Sequence, residues 1–147
     1  MRLTNFTDYA LRVLMYVGTK GDEISTIDEI ANYYGISRNH LMKVVFLLGK
    51  LGYLSTSRGK GGGIRLGMDP AKVNIGKLVR QTEEDLAPVS CLPDGGGDCR
   101  IRSVCVLRDV LADALGAFLG TLDQYTLADL LEPKRRLARL FAFTEAR

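Results

Sequence analysis

The chain has 147 residues, 46% of them hydrophobic and 25% charged, with 20 Lys and Arg against 17 Asp and Glu for a formal charge of +3. These proportions suit one soluble domain with at most an appendage, and the length excludes a large multidomain enzyme. The longest apolar run, residues 44–48, falls far short of the roughly 18 residues of a membrane span, and no signal-peptide hydrophobic region follows the first residues, so a cytoplasmic location without a membrane partner is expected.

The charge is unevenly placed: residues 1–80 carry +6 and residues 81–147 carry −3. A basic amino-terminal half is attracted to a phosphate backbone, because each neutralised phosphate releases condensed counterions. A merely solvated surface would look the same by charge alone, so the residue pattern has to decide.

Ala10, Leu11, Leu14 and Met15 recur at helical spacing, which predicts a first helix over 7–17 with Thr7 or Asp8 at its cap and Gly18 beyond its end. Ser25 or Thr26 can cap a second helix over 27–34, broken by Gly35. Ser37 then caps a third helix running to about residue 51, and two helices joined by a short glycine-containing turn form a helix-turn-helix. At about 100° per residue, Leu41, Val44, Val45, Leu48 and Leu51 fall on one side of the third helix, and Asn39, Met42, Lys43, Phe46 and Lys50 on the other. A face mixing amide, cation and exposed apolar groups suits a major groove. There Lys donates to guanine, Asn pairs with adenine, and apolar atoms touch the thymine methyl. An ordinary amphipathic helix with a wet face is the rival reading.

Residues 53–57 and 64–66 read as two strands around the glycine-rich turn 58–63, which is a wing when it follows a helix-turn-helix. Its glycines permit positive φ and close approach to DNA, while Arg58, Lys60 and Arg65 supply charge for phosphates or a narrow minor groove. No phosphate-loop spacing is present. Residues 74–82 read as a short helix with Ile75, Leu78 and Val79 inward. A long helix is expected over 104–122, carrying Leu107, Leu111, Leu115, Phe118 and Leu122 as a stripe too extended for this domain to bury alone. Pairing with a second copy is its natural use, and folding back on the winged domain is the alternative. A short amphipathic helix over 125–132 ends at Pro133, followed by a basic tail.

The fold expected is therefore mainly α: a winged helix-turn-helix DNA-binding domain over 1–82 with a small β-hairpin wing, a cysteine-bearing loop over 83–105, a long dimerisation helix and a short following helix over 104–132, and a basic tail over 133–147. Cys91, Cys99 and Cys105 are separated by seven and five residues in a loop that enters a helix. Thiolates are the usual ligands of iron–sulfur clusters, and Gly95, Gly96 and Gly97 let the loop wrap around one. Zinc prefers tighter spacings. Arg100, Arg102 and Arg108 lie close in sequence and would offset thiolate charge. Three unrelated free or buried cysteines remain the plain alternative.

Several segments together carry a resemblance. They are Met1-Arg2-Leu3-Thr4, Phe6-Thr7-Asp8-Tyr9-Ala10-Leu11-Arg12, Tyr34-Gly35-Ile36-Ser37-Arg38-Asn39-His40-Leu41 and Arg58-Gly59-Lys60-Gly61-Gly62-Gly63-Ile64-Arg65-Leu66-Gly67. The chain resembles, over nearly its whole length, the iron–sulfur winged-helix transcriptional repressors, the group that includes NsrR, IscR and RirA. Asp8, the 37–40 segment and Tyr125-Thr126-Leu127-Ala128-Asp129-Leu130 look most like its nitric-oxide-sensing branch. The IscR-like branch places a histidine just after the third cysteine, where this chain has Val106-Leu107-Arg108. The seven-residue gap after Cys91 is shared with the iron-sensing, RirA-like branch.

The resemblance implies a homodimer on double-stranded operator DNA. It implies a 4Fe-4S cluster, with 2Fe-2S possible, held by Cys91, Cys99 and Cys105 with Asp8 of the other subunit as provisional fourth ligand. Asp8 would otherwise be a first-turn carboxylate favourable to the helix dipole. Nitric oxide is the implied signal. The expected DNA-contacting set is Arg12, Ser37, Arg38, Asn39, His40, Met42, Lys43, Lys50, Arg58, Lys60 and Arg65. No enzyme is expected, because the sole histidine, His40, lies near the start of the recognition helix and gives no Cys–His or Ser–His pair near the cysteines.

Overall fold

The computed structural model describes residues 2–142, the side chain of Asp94 apart. Helix α1 spans Asn5–Lys20, two residues earlier than periodicity suggested, because the Thr4 hydroxyl accepts from the Thr7 amide and is the cap. Thr7 is instead buried and donates from its hydroxyl to that of Thr82 at 2.8 Å. The apolar face of α1, with Ala10, Val13, Leu14 and Val17 inaccessible to solvent, is the centre of the core.

Helix α2 spans Ile27–Tyr34 and opens with a capping box in which Thr26 and Glu29 satisfy each other's backbone amides. Gly35 ends it in the left-handed conformation at φ 64°, which a side chain would strain. Helix α3 spans Arg38–Lys50 from the Ser37 cap and buries Leu41, Val44, Val45 and Leu48. The wing follows as strands β1, Leu54–Ser57, and β2, Gly63–Leu66, antiparallel with Leu54 opposite Leu66 and Thr56 opposite Ile64. Tyr53 lies just outside β1 because its amide donates to the Leu48 carbonyl and closes the end of α3. Ser25 exchanges both backbone bonds with Ile64, at 2.9 and 2.8 Å, so the wing is stitched to the segment before α2.

Helix α4, Ile75–Thr82, turns Ile75, Leu78 and Val79 into the core. The long helix α5 spans Val106–Leu122 and starts later than residue 104, because residues 102–104 form a single 3₁₀ turn and Cys105 is extended. None of its residues is buried; Val106, Leu107 and Val110 are 74%, 64% and 55% exposed. Its amino-terminal half therefore does not fold back on the winged domain, whereas Leu122 at its far end is partly buried and packs against the core. Helix α6, Leu127–Leu130, is shorter than 125–132, since Thr126 caps it and the Tyr125 carbonyl is taken by the Ile75 amide.

The stretch read as a basic tail is ordered from its start: Lys134–Leu140 form helix α7, and Phe141 is buried. The Phe141 ring packs 5.0 Å from those of Tyr16 and Tyr33 and 6.2 Å from that of Tyr34. The remainder of that expected tail, 143–147, lies outside the described residues. No helix among the described residues is long and apolar enough to cross a membrane.

Candidate nucleic-acid interface and cysteine loop

The outer face of α3 presents Asn39, His40, Met42, Lys43, Phe46 and Lys50 to solvent. Phe46 is 74% exposed, a large apolar ring held in water beside two lysines, and an isolated domain gains nothing from that placement. The Ser37 hydroxyl accepts from the His40 amide, so its acceptor is engaged in capping the helix. Arg38 donates from Nε to Asp28 at 2.8 Å and from a terminal nitrogen to the Met42 sulfur at 3.2 Å, spanning α2 and α3 across the turn.

His40 and Lys43 form one wall of a cleft of about 320 Å³ whose other wall is Thr4, Asn5, Phe6 and Tyr9 at the start of α1. Asn5 and Tyr9 escape sequence reasoning. Their one-turn spacing was legible, but their position opposite α3 is a tertiary fact. The wing carries Arg58, Lys60 and Arg65 exposed beside Gly59 and Gly61, which hold φ 94° and 79°. A Cβ on Gly62 would come within 2.4 Å of the Ser57 carbonyl oxygen, so the tight tip admits no side chain there.

Arg12 is not among the residues lining that cleft. Its guanidinium grips Asp8 through two contacts, Nε at 3.0 Å and a terminal nitrogen at 2.9 Å, and lies 5.4 Å from the centre of the Tyr34 ring. Asp8, the provisional ligand, is thus a half-exposed carboxylate already holding a cation.

The cysteine loop folds around Ser90. The Gly97 amide donates to the Ser90 carbonyl at 2.7 Å, Gly96 takes φ 65°, and a Cβ on Gly95 or Gly97 would fall 2.6 Å from Ser90. Three consecutive glycines are required for that approach, and it holds Cys91 at the loop's neck. All three cysteines are free and partly exposed. Cys105 occupies the cap position of α5 with no side-chain cap bond, leaving the helix amides there open to a negative group. Arg108 is tied to Asp109 at 3.1 Å, whereas Arg100 and Arg102 are exposed.

Three free thiols, one at a helix N-terminus, are a donor set that suits an iron–sulfur cluster. Among the described residues, however, no three His, Cys, Asp or Glu side chains stand close enough to hold one metal ion. A 4Fe-4S cluster places each thiolate on its own iron, so its ligands need not meet at one ion.

Comparison with known proteins agrees with this layout. The family model Rrf2, an iron-dependent transcriptional regulator, matches residues 3–133. The HTH-type transcriptional regulator NsrR of Bacillus subtilis (strain 168) is 51% identical over 146 residues, covering 99% of this chain and all of that protein. Among solved structures, a putative transcriptional regulator from Listeria innocua superposes with TM-score 0.75 at 26% identity, over 90% of this chain and 87% of that one. T. potens IscR superposes with TM-score 0.72 at 21% identity, over 90% and 88%. The resemblance read from the motifs is thereby borne out: this winged-helix chain is a transcriptional regulator rather than an enzyme, and it belongs to the Rrf2 family.

Proposed function

We propose that the protein is a cytoplasmic, nitric-oxide-responsive repressor that binds a two-fold operator as a homodimer under control of an iron–sulfur cluster, 4Fe-4S in preference to 2Fe-2S. The observation that carries this reading is the run of three free cysteines leading straight into α5, a helix whose first half exposes an apolar face and whose far end is bonded to the winged domain. Identity of 51% over nearly the whole chain to a protein named NsrR supports it.

In this reading residues 1–82 bind DNA, 83–105 hold the cluster and α5 pairs with its counterpart. Each α3 enters a major groove, with Asn39 and Lys43 at base edges and Phe46 and Met42 against thymine methyls, and the wing follows the flanking backbone. Half-sites then lie about one helical turn apart. Ser37, Arg38 and His40 orient the helix entrance. Arg12, Lys50, Arg58, Lys60 and Arg65 supply positive charge.

Cys91, Cys99 and Cys105 would hold the cluster, with Asp8 of the other subunit as fourth ligand once its carboxylate exchanges Arg12 for iron. When bound, the cluster supplies iron atoms open to attack by nitric oxide, most readily where the ligand is a carboxylate oxygen rather than a thiolate. Without a cluster to hold them, the cysteines would leave the loop around Ser90 and the start of α5 less constrained, and a coupling of about 1–3 kcal/mol to operator affinity would be enough for control.

The test is an anaerobic titration with nitric oxide while operator binding is followed by gel shift. Loss of binding in step with reaction at iron is expected, and unchanged affinity after complete reaction overturns the signal. An iron-responsive reading has one observation in its favour, the seven-residue gap after Cys91 shared with the iron-sensing branch. Derepression by iron limitation with indifference to nitric oxide selects it.

A further inference from the structure

Helix α7 concentrates Lys134, Arg135, Arg136 and Arg139 in seven residues, all exposed, while Leu137 and Phe141 turn inward. Arg135 and Arg139 are one turn apart, as are Arg136 and Arg139, so the three guanidinium groups share a face. None takes part in an ion pair among the described residues. Like charges one turn apart disfavour a short helix in isolation. This one is held by its attachment to the rest of the fold. The Tyr33 hydroxyl donates to the Leu140 carbonyl at 3.2 Å, and Phe141 packs into the ring cluster of Tyr16, Tyr33 and Tyr34.

Those tyrosines fix where the cations travel. Tyr33 and Tyr34 end α2, and Tyr34 is four residues from Arg38, the first residue of α3, at most about 14 Å away along the chain. The last turn of α7 therefore rides on the helix-turn-helix and moves with the recognition helix.

We propose that the exposed face of α7 is an accessory DNA-contacting surface, in which Arg135, Arg136 and Arg139 engage the phosphate backbone flanking the site that α3 reads. The inference rests on the DNA-binding reading given above and adds to it a surface outside the helix-turn-helix and wing. A row of arginines matches phosphate oxygens in fork geometry. A protein partner would need a central buried apolar or aromatic anchor, and Leu140 at the helix end is the only large exposed hydrophobic residue on α7. Such contacts position the protein without reading sequence.

The test uses the full chain carrying R135A/R139A, alongside the unmodified protein, a charge-matched K72A/K77A control and a charge-retaining R135K/R139K variant. Binding is measured across a salt series on a random-sequence duplex and on a duplex selected from a random pool by the unmodified protein. The R135A/R139A variant is expected to bind both duplexes about tenfold more weakly at low salt, with the slope of log affinity against log salt flatter by about 0.9 per lost contact. The control and the lysine variant are expected to keep the slope, and the thermal unfolding midpoint is unchanged because the substituted side chains point outward. An unaltered slope in R135A/R139A, or an equal loss in K72A/K77A, overturns the surface while leaving DNA binding by α3 intact. Failure of the unmodified protein to bind either duplex overturns both.

Discussion

Arg80 and Asp123 form a two-pronged ion pair, 2.6 and 2.8 Å, that fastens the end of α5 to α4. Around it the Asn74 side-chain amide donates to the Asp123 carbonyl, the Ile75 amide to Tyr125 and the Leu127 amide to the carbonyl of Val73. Helix α4 in turn meets α1 through the Thr7–Thr82 hydroxyl pair, and α1 packs on α3. A displacement of the long helix thus has a stiff route to the recognition helix.

Breaking this latch is expected to uncouple the cysteine loop from DNA affinity without unfolding the winged domain. Two changes reach it differently: D123N removes the charge, and G76A places a Cβ 2.0 Å from the Asp123 carboxylate oxygen and displaces it. Each variant should show a smaller ratio of operator affinities before and after nitric oxide, and the double variant should be no worse than either alone, because both act on one contact. Hydrogen bonds from Arg80 hold the Asp123 carboxyl below its usual range. The pair's contribution is therefore present above the ordinary carboxylate pKa and lost only as pH falls through the depressed value. Coupling measured by gel shift should consequently be constant through neutral and mildly acidic pH, and a ratio unchanged in D123N removes the latch from the mechanism.

The α3 face makes a separate prediction. Phe46 is exposed, so Phe46→Ser should leave thermal stability within about 0.5 kcal/mol while weakening operator binding. Lys43→Ala should cost about 1–3 kcal/mol and relax sequence preference at one position if the ammonium reads a base. Selection from a random pool distinguishes that outcome from a uniform loss, which assigns Lys43 to phosphate.

These surfaces were legible in the sequence because they follow local rules. The faces of α3 come from a 3.6-residue period, the end of α2 from Gly35, and the wing from a glycine run between short strands. The start of α1 was misplaced because Thr4, Thr7 and Asp8 are all good capping residues, and only the burial of Thr7 against Thr82 decides among them. Helix α7 was illegible for a stronger reason. Its sequence is mostly cations, and what makes it a helix is the ring cluster of Tyr16, Tyr33 and Tyr34, about a hundred positions upstream. The cysteine spacing suggested a cluster, but spacing says nothing of how the thiols are placed in space, and among the described residues no three ligand side chains meet at one metal ion.

The same ring cluster gives a pH prediction. Burial, reinforced by Tyr33 and opposed by the Arg12 guanidinium, pushes the Tyr34 phenol up to about 12 from an ordinary 10.0. A raised folded-state value means the stability it contributes is complete below the unfolded pKa and is lost as pH rises through the folded one. Denaturant unfolding should therefore show stability falling between about pH 10 and pH 12. Tyr34→Phe should flatten that fall without abolishing it, since burial also raises Tyr16 and Tyr53. An identical alkaline profile in the variant places the titration elsewhere.

Asp8 and Arg12 separate a ligand from a helix ion pair. As a surface pair one turn apart, each about 44% exposed, they contribute no more than about 0.5 kcal/mol, so D8A and R12A should melt close to the unmodified protein. Their effects on iron should diverge. If Asp8 reaches the partner's thiols, D8A alters the absorption spectrum and the rate of reaction with nitric oxide after anaerobic reconstitution, whereas R12A, which frees the carboxylate, retains or increases bound iron. Substituting Cys91, Cys99 or Cys105 by Ser sets the scale for complete ligand loss: iron and acid-labile sulfide should fall together while the midpoint holds, because no thiol is in the core. Matching iron content, spectrum and reaction rate in D8A and R12A would confine Asp8 to the first turn of α1, where its carboxylate steadies the helix dipole and nothing more.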